Sequence, residues 1–281
     1  MEAYVMDAFS TRVFGGNQAG VALPERELPD AHMQQVAAEF KHSETAFVRV
    51  EKDGSVTLRY FTPAGEVELC GHATVALLRQ LGRIGDGDVT AHTRAGELSV
   101  TVQGGTVWMD MAKPQLLREL GEDEWDAFYE AYGLTAADRP EGLTPAIVST
   151  GLADVMLPVR DHDTLMRAVQ NEAAVTALSK QYDVTGVHMF CLGDGCTAYC
   201  SNYAPLYDIP EECATGTSNG ALTYYLYLRG IVQPGQENVF LQGEHMNRPS
   251  EIRSRLYEQD GAVNVRVGGS AVMSMQCDVK I

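Results

Sequence analysis

Basic residues are scarce in this 281-residue chain. Only 21 Lys and Arg stand against 38 Asp and Glu, a formal net charge of -17. A surface of that sign repels nucleic acid and anionic membranes, so neither is expected as a partner. Long apolar runs are lacking as well; none approaches the roughly 20 residues that span a bilayer. The opening "MEAYVMDAFS" carries no charged-then-apolar leader and alternates like a strand. These absences point to a cytoplasmic protein, whose six cysteines are then reduced thiols and not a disulfide framework. No low-complexity linker interrupts the chain. "CTAYC" has a spacing that zinc accepts, but no suitable His or second Cys pair stands near it, so no metal site is expected. "GDGCTA" is followed by a strand-like run instead of the helix that a nucleotide-binding glycine motif requires.

What is present reads as alternating short elements. "AYVMDAF", "ETAFVRV" and "VTLRYFT" have strand patterns, the last two around the turn "EKDGS". "LPDAHMQQVAAEF" predicts a helix with Asp30 as its cap and Met33, Val36, Ala37 and Phe40 on one face. "GHATVALLRQLG" predicts a helix ended by Gly82, and "ELSVTVQGGTVWMDM" a hairpin turning at "QGG". "EDEWDAFYEAYG" predicts an amphipathic helix, after which the pattern restarts. "PAIVST" and "DVMLPVR" read as strands; "DTLMRAVQ" and "EAAVTALSKQY" as helices; "GVHMFCL" and "TAYCSNYAP" as strands around "GDG". Hairpins mixed with isolated helices favour α+β over a doubly wound sheet.

The restart has internal detail. "RYFTPAGEVELCGHATVALLR" (59–79) and "NYAPLYDIPEECATGTSNGALTY" (202–224) both run strand, Pro, short loop, acidic residue, Cys, small residues, helix. Two such units imply a pseudo-symmetric chain of two domains, 1–115 and 116–269. The C-terminal strand 270–281 is assignable to the first. The two junctions are expected to face each other across an inter-domain cleft, a common place for a ligand.

Each junction sets a cysteine before a helix N-terminus. Unpaired N–H groups there suit a carboxylate, and the local potential favours a thiolate. Cys70 and Cys213, facing one carbon from opposite sides, could remove and return its proton without a cofactor. Gly71, Ala73, Ala214, Gly216 and Gly220 would let a substrate approach the backbone, and Thr215, Thr217, Ser218 and Asn219 would donate hydrogen bonds.

The segments "DAFSTRVFGGNQAGVAL", "HSETAFV", "RYFTP", "CGHATVA" and "ATGTSNGAL" occur in that order along nearly the whole chain. Together they resemble the phenazine-biosynthesis (PhzF-like) isomerases of the diaminopimelate-epimerase and proline-racemase superfamily. The resemblance implies two pseudo-symmetric α+β domains, each a curved, mostly antiparallel sheet around a central helix. It implies cofactor-free proton transfer on a small carboxylate, and a homodimer. In the PhzF-like branch the acid–base group falls at Glu44; in the epimerase and racemase branches the two thiols fall at Cys70 and Cys213. Asn17 is implied to reach the cleft. The chain departs from both patterns by holding all three groups, with Cys213 in "EECATG".

Ordinary readings compete. Cys70 alone fits a small buried hydrophobe as well as a reactive thiol. His72 fits substrate contact or capping of its own helix equally. Glu44 by spacing alone is a solvated carboxylate, and Asn17 a turn residue. His42, and Cys191, Cys196, Cys200 and Cys277 in strand-like runs, read as structural. The expected function is a cofactor-independent racemase or epimerase of a free amino acid or related carboxylate. Cys70, Cys213 and Glu44 would be catalytic, and Asn17, Gly71, His72, Thr215, Gly216 and Thr217 would bind substrate. The alternatives are a double-bond isomerase shuttling a proton on Glu44, and a carboxylate-binding protein without catalysis.

Overall fold

Turn chemistry sets the hairpins. Gly104 and Gly105 both carry positive φ, +57° and +81°, in the two-residue turn between strands Gly96–Gln103 and Thr106–Asp110. That backbone matches the right-handed twist of the flanking strands and is strained for most side chains. Asp260 and Gly261, at +53° and +74°, repeat the device between Ser250–Gln259 and Ala262–Gly269.

The computed structural model describes residues 1–68, 71, 74 and 86–281. Two units result: Met1–Asp110 with Gly268–Ile281, and Met111–Val267. In the first, β1 (Glu2–Ala8) pairs antiparallel with β2 (Asn17–Leu23) and with the C-terminal strand β18 (Ala271–Asp278). Helix α1 (Asp30–Phe40) carries the chain to β3 (Thr45–Val50), which lies parallel to β2. Then β4 (Val56–Phe61) runs antiparallel to β3 and to the two-residue strand β5 (Glu66–Val67). β6 (Gly87–Thr93) lies parallel to β4, and β7 (Gly96–Gln103) and β8 (Thr106–Asp110) follow as antiparallel neighbours.

The second unit repeats this order of pairings. β9 (Gln115–Glu119) pairs with β10 (Ala146–Ser149) as β18 does with β1, and β10 with β11 (Ala153–Pro158). Between β9 and β10 lies α2 (Glu122–Glu130). Helices α3 (His162–Arg167) and α4 (Glu172–Tyr182) carry the chain to β12 (Gly186–Leu192), parallel to β11. β13 (Ala198–Ala204) runs antiparallel to β12 and to the short β14 (Ile209–Glu212). After α5 (Gly216–Leu228), β15 (Glu237–Gln242) lies parallel to β13 and antiparallel to β16 (Ser250–Gln259), with β17 (Ala262–Gly269) last. Each unit thus contains a strand and a short antiparallel return strand, β4–β5 and β13–β14, and in the second this leads to the Cys213 junction. This is the α+β, diaminopimelate-epimerase-like architecture.

Helix α5 is the central helix of its unit. Eight of its residues, from Ser218 to Leu226, are buried, so the helix is enclosed on most sides instead of burying one stripe. It packs on β9, β10, β11 and β16. Gly220 lies inside this packing: a Cβ there would come within 3.0 Å of Thr150 Oγ1 and 3.2 Å of Val267. Its smallness serves helix–sheet packing and not a substrate, contrary to the sequence expectation. Leu222 and Leu226 are fully buried; truncating such a leucine to alanine costs about 2–5 kcal/mol.

Some local expectations are corrected. Asp30 is the first residue of α1 and Pro29 its cap; the Asp30 carboxylate instead accepts from Arg59 Nη1 at 2.7 Å. Pro29 fixes the entry φ that the helix needs. The helix expected over 163–170 ends at Arg167, after one capped turn in which Asp161 accepts from the Thr164 N–H. Cys196 lies in the turn between β12 and β13, not in a strand. The helix predicted over 71–82 lies almost wholly outside the described residues. Among the described residues no helix is long and apolar enough to cross a membrane.

Candidate active site

The second junction is built by short-range rules. β13 ends at Ala204, and Pro205 opens a single 3-10 turn that closes at Asp208 with φ +59°. β14 then returns alongside β13, Asn202 opposite Glu212, and delivers Cys213 two residues before the helix cap Thr215. The Thr215 hydroxyl does not cap the helix. It donates to Glu212 Oε2 at 2.5 Å. Thr215, Gly216 and Thr217 are partly exposed at the helix start, while Ser218 and Asn219 turn inward and are buried. The Thr217 carbonyl accepts from Thr150 Oγ1 at 2.8 Å.

Cys213 is 4% exposed. Burial pushes its thiol up to about 11, against the pull of the neighbouring Arg248 guanidinium and with a further push from Glu212. The sequence expectation of thiolate character is therefore corrected for this residue: desolvation outweighs the local positive charge, and the thiol is neutral at pH 7. Behind it sits Gly243, with φ +86°; a Cβ there would lie 2.7 Å from Cys213 O and 2.4 Å from Arg248 O. Only glycine allows this approach.

The donors expected for substrate at Ser218 and Asn219 are committed internally. Ser218 Oγ donates to Asp154 Oδ2 at 2.6 Å and accepts from Asn202 Nδ2 at 2.9 Å. Asn219 Nδ2 donates to the Thr215 carbonyl at 2.9 Å and to Gln242 Oε1 at 2.8 Å. Burial raises the Asp154 carboxyl above its ordinary value. His188, on β12 and fully buried beside Asn219, is pushed down to about 4 by the same cause. Along the flank of the junction, His245 Nδ1 lies 3.2 Å from Glu211 Oε1, and its Nε2 lies 3.1 Å from the Met166 carbonyl. Its pKa is raised, chiefly by the bond to Glu211.

In the first unit, Glu44 directly precedes β3; its carbonyl accepts from the Gly20 N–H at 3.0 Å and its Oε2 is withdrawn from solvent. It is not the fully solvated carboxylate that spacing alone suggested. Asn17 opens β2 opposite Ala8 and is 8% exposed. A Cβ at Gly71 would lie 3.5 Å from the Met109 methyl, an ordinary contact. Thr74 is tied to β4 through a 2.6 Å bond with the Tyr60 hydroxyl. Cys70 and His72 lie outside the described residues. Among the remaining cysteines, Cys191 and Cys200 are buried and their thiols raised by desolvation, while Cys277 is exposed on β18. His42 packs its ring near that of Phe40.

Sequence reasoning missed Gln242, Gly243, Arg248 and His188. The first three reach the junction from the end of β15 and the loop after it, about thirty positions along the chain. The one local signal was the glycine of "LQGEH", a strand end where positive φ is common.

Two repeated α+β units, with a neutral buried thiol at the central-helix junction of the second, define a two-domain fold of the epimerase type. The chain belongs to the phenazine biosynthesis-like (PhzC-PhzF) family, whose model matches residues 6–277. It is 32% identical over 286 residues to "Uncharacterized isomerase YddE" of Escherichia coli O157:H7, covering 97% of this chain and 96% of that one. It is 28% identical to the trans-2,3-dihydro-3-hydroxyanthranilate isomerase of Pseudomonas aeruginosa, covering 95% of each. The fold is that of the Bacillus anthracis phenazine biosynthesis protein of the PhzF family, with a TM-score of 0.90, 24% identity and coverage of 100% and 99%. That membership places the chain among isomerases.

Proposed function

We propose that this protein is a cofactor-independent racemase or epimerase of a small carboxylate, an amino acid or a close relative, working by two-base proton transfer. The observation that carries the reading is Cys213: a buried, neutral thiol held just before the N-terminus of the central helix. A neutral thiol is poised to deliver a proton, and the partner base is then Cys70, at the matching position of the sequence repeat. Amides at a helix start, here Gly216 and Thr217, are of the kind that receive a carboxylate. Asn17, Gly71 and His72 complete the substrate contacts, with Glu44 assisting; Thr215, expected from the sequence to join them, spends its hydroxyl on Glu212 and Gln242 and its N–H on Gln242. The protein is cytoplasmic and a homodimer in this reading.

A specific observation favours a second reading. Glu44 has a carboxylate oxygen withdrawn from solvent, and a relative of nearly equal length is named as a dihydro-hydroxyanthranilate isomerase. In that reading Glu44 moves a proton between carbons on one face of the substrate.

Isotope exchange in deuterium oxide separates them. Free amino acids are screened for deuterium gained at Cα and for loss of optical rotation. A racemase shows both; Cys213→Ser then cuts inversion about 100-fold or more, while one enantiomer still exchanges without inverting. Full racemisation by Cys213→Ser leaves the Glu44 reading. Neither exchange nor proton migration with any carboxylate tested leaves a binding protein.

A further inference from the structure

The Cys213 segment is gripped on both sides by one buried side chain. Gln242 ends β15 and is 1% exposed. Its backbone is held in the sheet, opposite Cys200 on one side and Ser250 on the other. Its Nε2 donates to the Glu212 carbonyl at 2.7 Å, just before Cys213, and to Thr215 Oγ1 at 3.2 Å. Its Oε1 accepts from the Thr215 N–H at 3.3 Å, just after Cys213–Ala214, and from Asn219 Nδ2 at 2.8 Å. Both amide hydrogens and both lone pairs are used, which is everything this side chain has to offer. The next residue, Gly243, closes the back of the cysteine.

We propose that Gln242 is the positioning residue of the Cys213 thiol. It does not meet a substrate; it fixes the backbone on either side of the cysteine, so the direction of the Cα–Cβ bond is set by the sheet and not by the loop. Asn219 orients the Gln242 amide and holds the Thr215 carbonyl at 2.9 Å, so the start of helix α5 and the cysteine move as one body. An amide is required. A carboxylate at this position has no hydrogen for Glu212 O, and it would add a charge beside the Glu212 carboxylate. The consequence for turnover rests on the acid–base reading of Cys213; the positioning itself does not.

The test reads the thiol directly. Native protein is treated with iodoacetamide, and modification of each cysteine is followed by peptide mass spectrometry across pH for wild type and Gln242→Met. Leu256→Ala, a fully buried leucine of the same unit, serves as a destabilised control of matched melting temperature. Release of the clamp predicts Cys213 alkylation at least tenfold faster in Gln242→Met than in the matched control, with buried Cys200 unchanged. Equal Cys213 rates in the two variants overturn the proposal. If Gln242→Met does not fold, Asn219→Ser removes one leg of the clamp, and a rise of threefold or more is expected; an unchanged rate overturns it there too. Retained isomerase activity in Cys213→Ser would defeat the acid–base reading and leave the alkylation result to judge the clamp.

Discussion

Acidification should weaken the second unit through one residue. His188 is fully buried on β12, with Met156 and Asn202 opposite it on the neighbouring strands and Asn219 reaching it from α5. Burial lowers its pKa from 6.5 to about 4. The unfolded chain therefore binds a proton near pH 6.5 that the folded chain refuses until about pH 4. Above pH 6.5 both states are neutral and the stability is whole; it is lost as the pH falls through this window. At about 1.4 kcal/mol per pH unit, the gap amounts to about 3 kcal/mol below pH 4 and about 2 kcal/mol at pH 5. Asp154, in the same unit, acts in the opposite sense: burial raises its pKa, so acid favours its folded form. A comparison with His188→Gln cancels Asp154 and the surface carboxylates. Urea unfolding at pH 7 and pH 5 is followed by far-ultraviolet circular dichroism, which weighs this unit because it holds four of the five α-helices among the described residues. Wild type should lose about 2 kcal/mol more than the variant between the two pH values. Equal losses would refute the assignment of a neutral buried imidazole.

Gly243→Ala should lower stability by about 2 kcal/mol or more, since it combines positive φ with a clash against Cys213 and Arg248. Gly235→Ala, at nearly the same φ but in open space, should cost about 1 kcal/mol in the same urea titration; equal costs would remove the clash from the explanation. Glu44→Gln should abolish turnover with ligand binding intact if Glu44 shuttles the proton, or mainly raise KM if it orients the substrate, as steady-state kinetics and calorimetry can tell apart. Unaltered kcat and KM in that variant would exclude Glu44 from both roles.

Local chemistry made much of this protein readable in its sequence. Hairpin turns follow from glycines that accept positive φ, as at Gly104 and Gly105. Most strands and helices of the second unit follow from side-chain periodicity, and the repeat of the two junctions follows from the spacing of Pro, acidic residue and Cys. These depend on neighbours within a few residues. The state of Cys213 does not. A helix start argues for a lowered thiol pKa, yet burial pushes it up to about 11, with Gly243, about thirty residues away in sequence, packed close behind the cysteine. Ser218 and Asn219 have the donors that a substrate would want, and the fold spends them on Asp154, Gln242 and the Thr215 carbonyl. Burial and hydrogen-bond pairing are properties of what the folded chain brings alongside a residue. The sequence by itself therefore determined where the reactive types stand, and tertiary structure alone decided the burial of the Cys213 thiol and the inward commitment of Ser218 and Asn219.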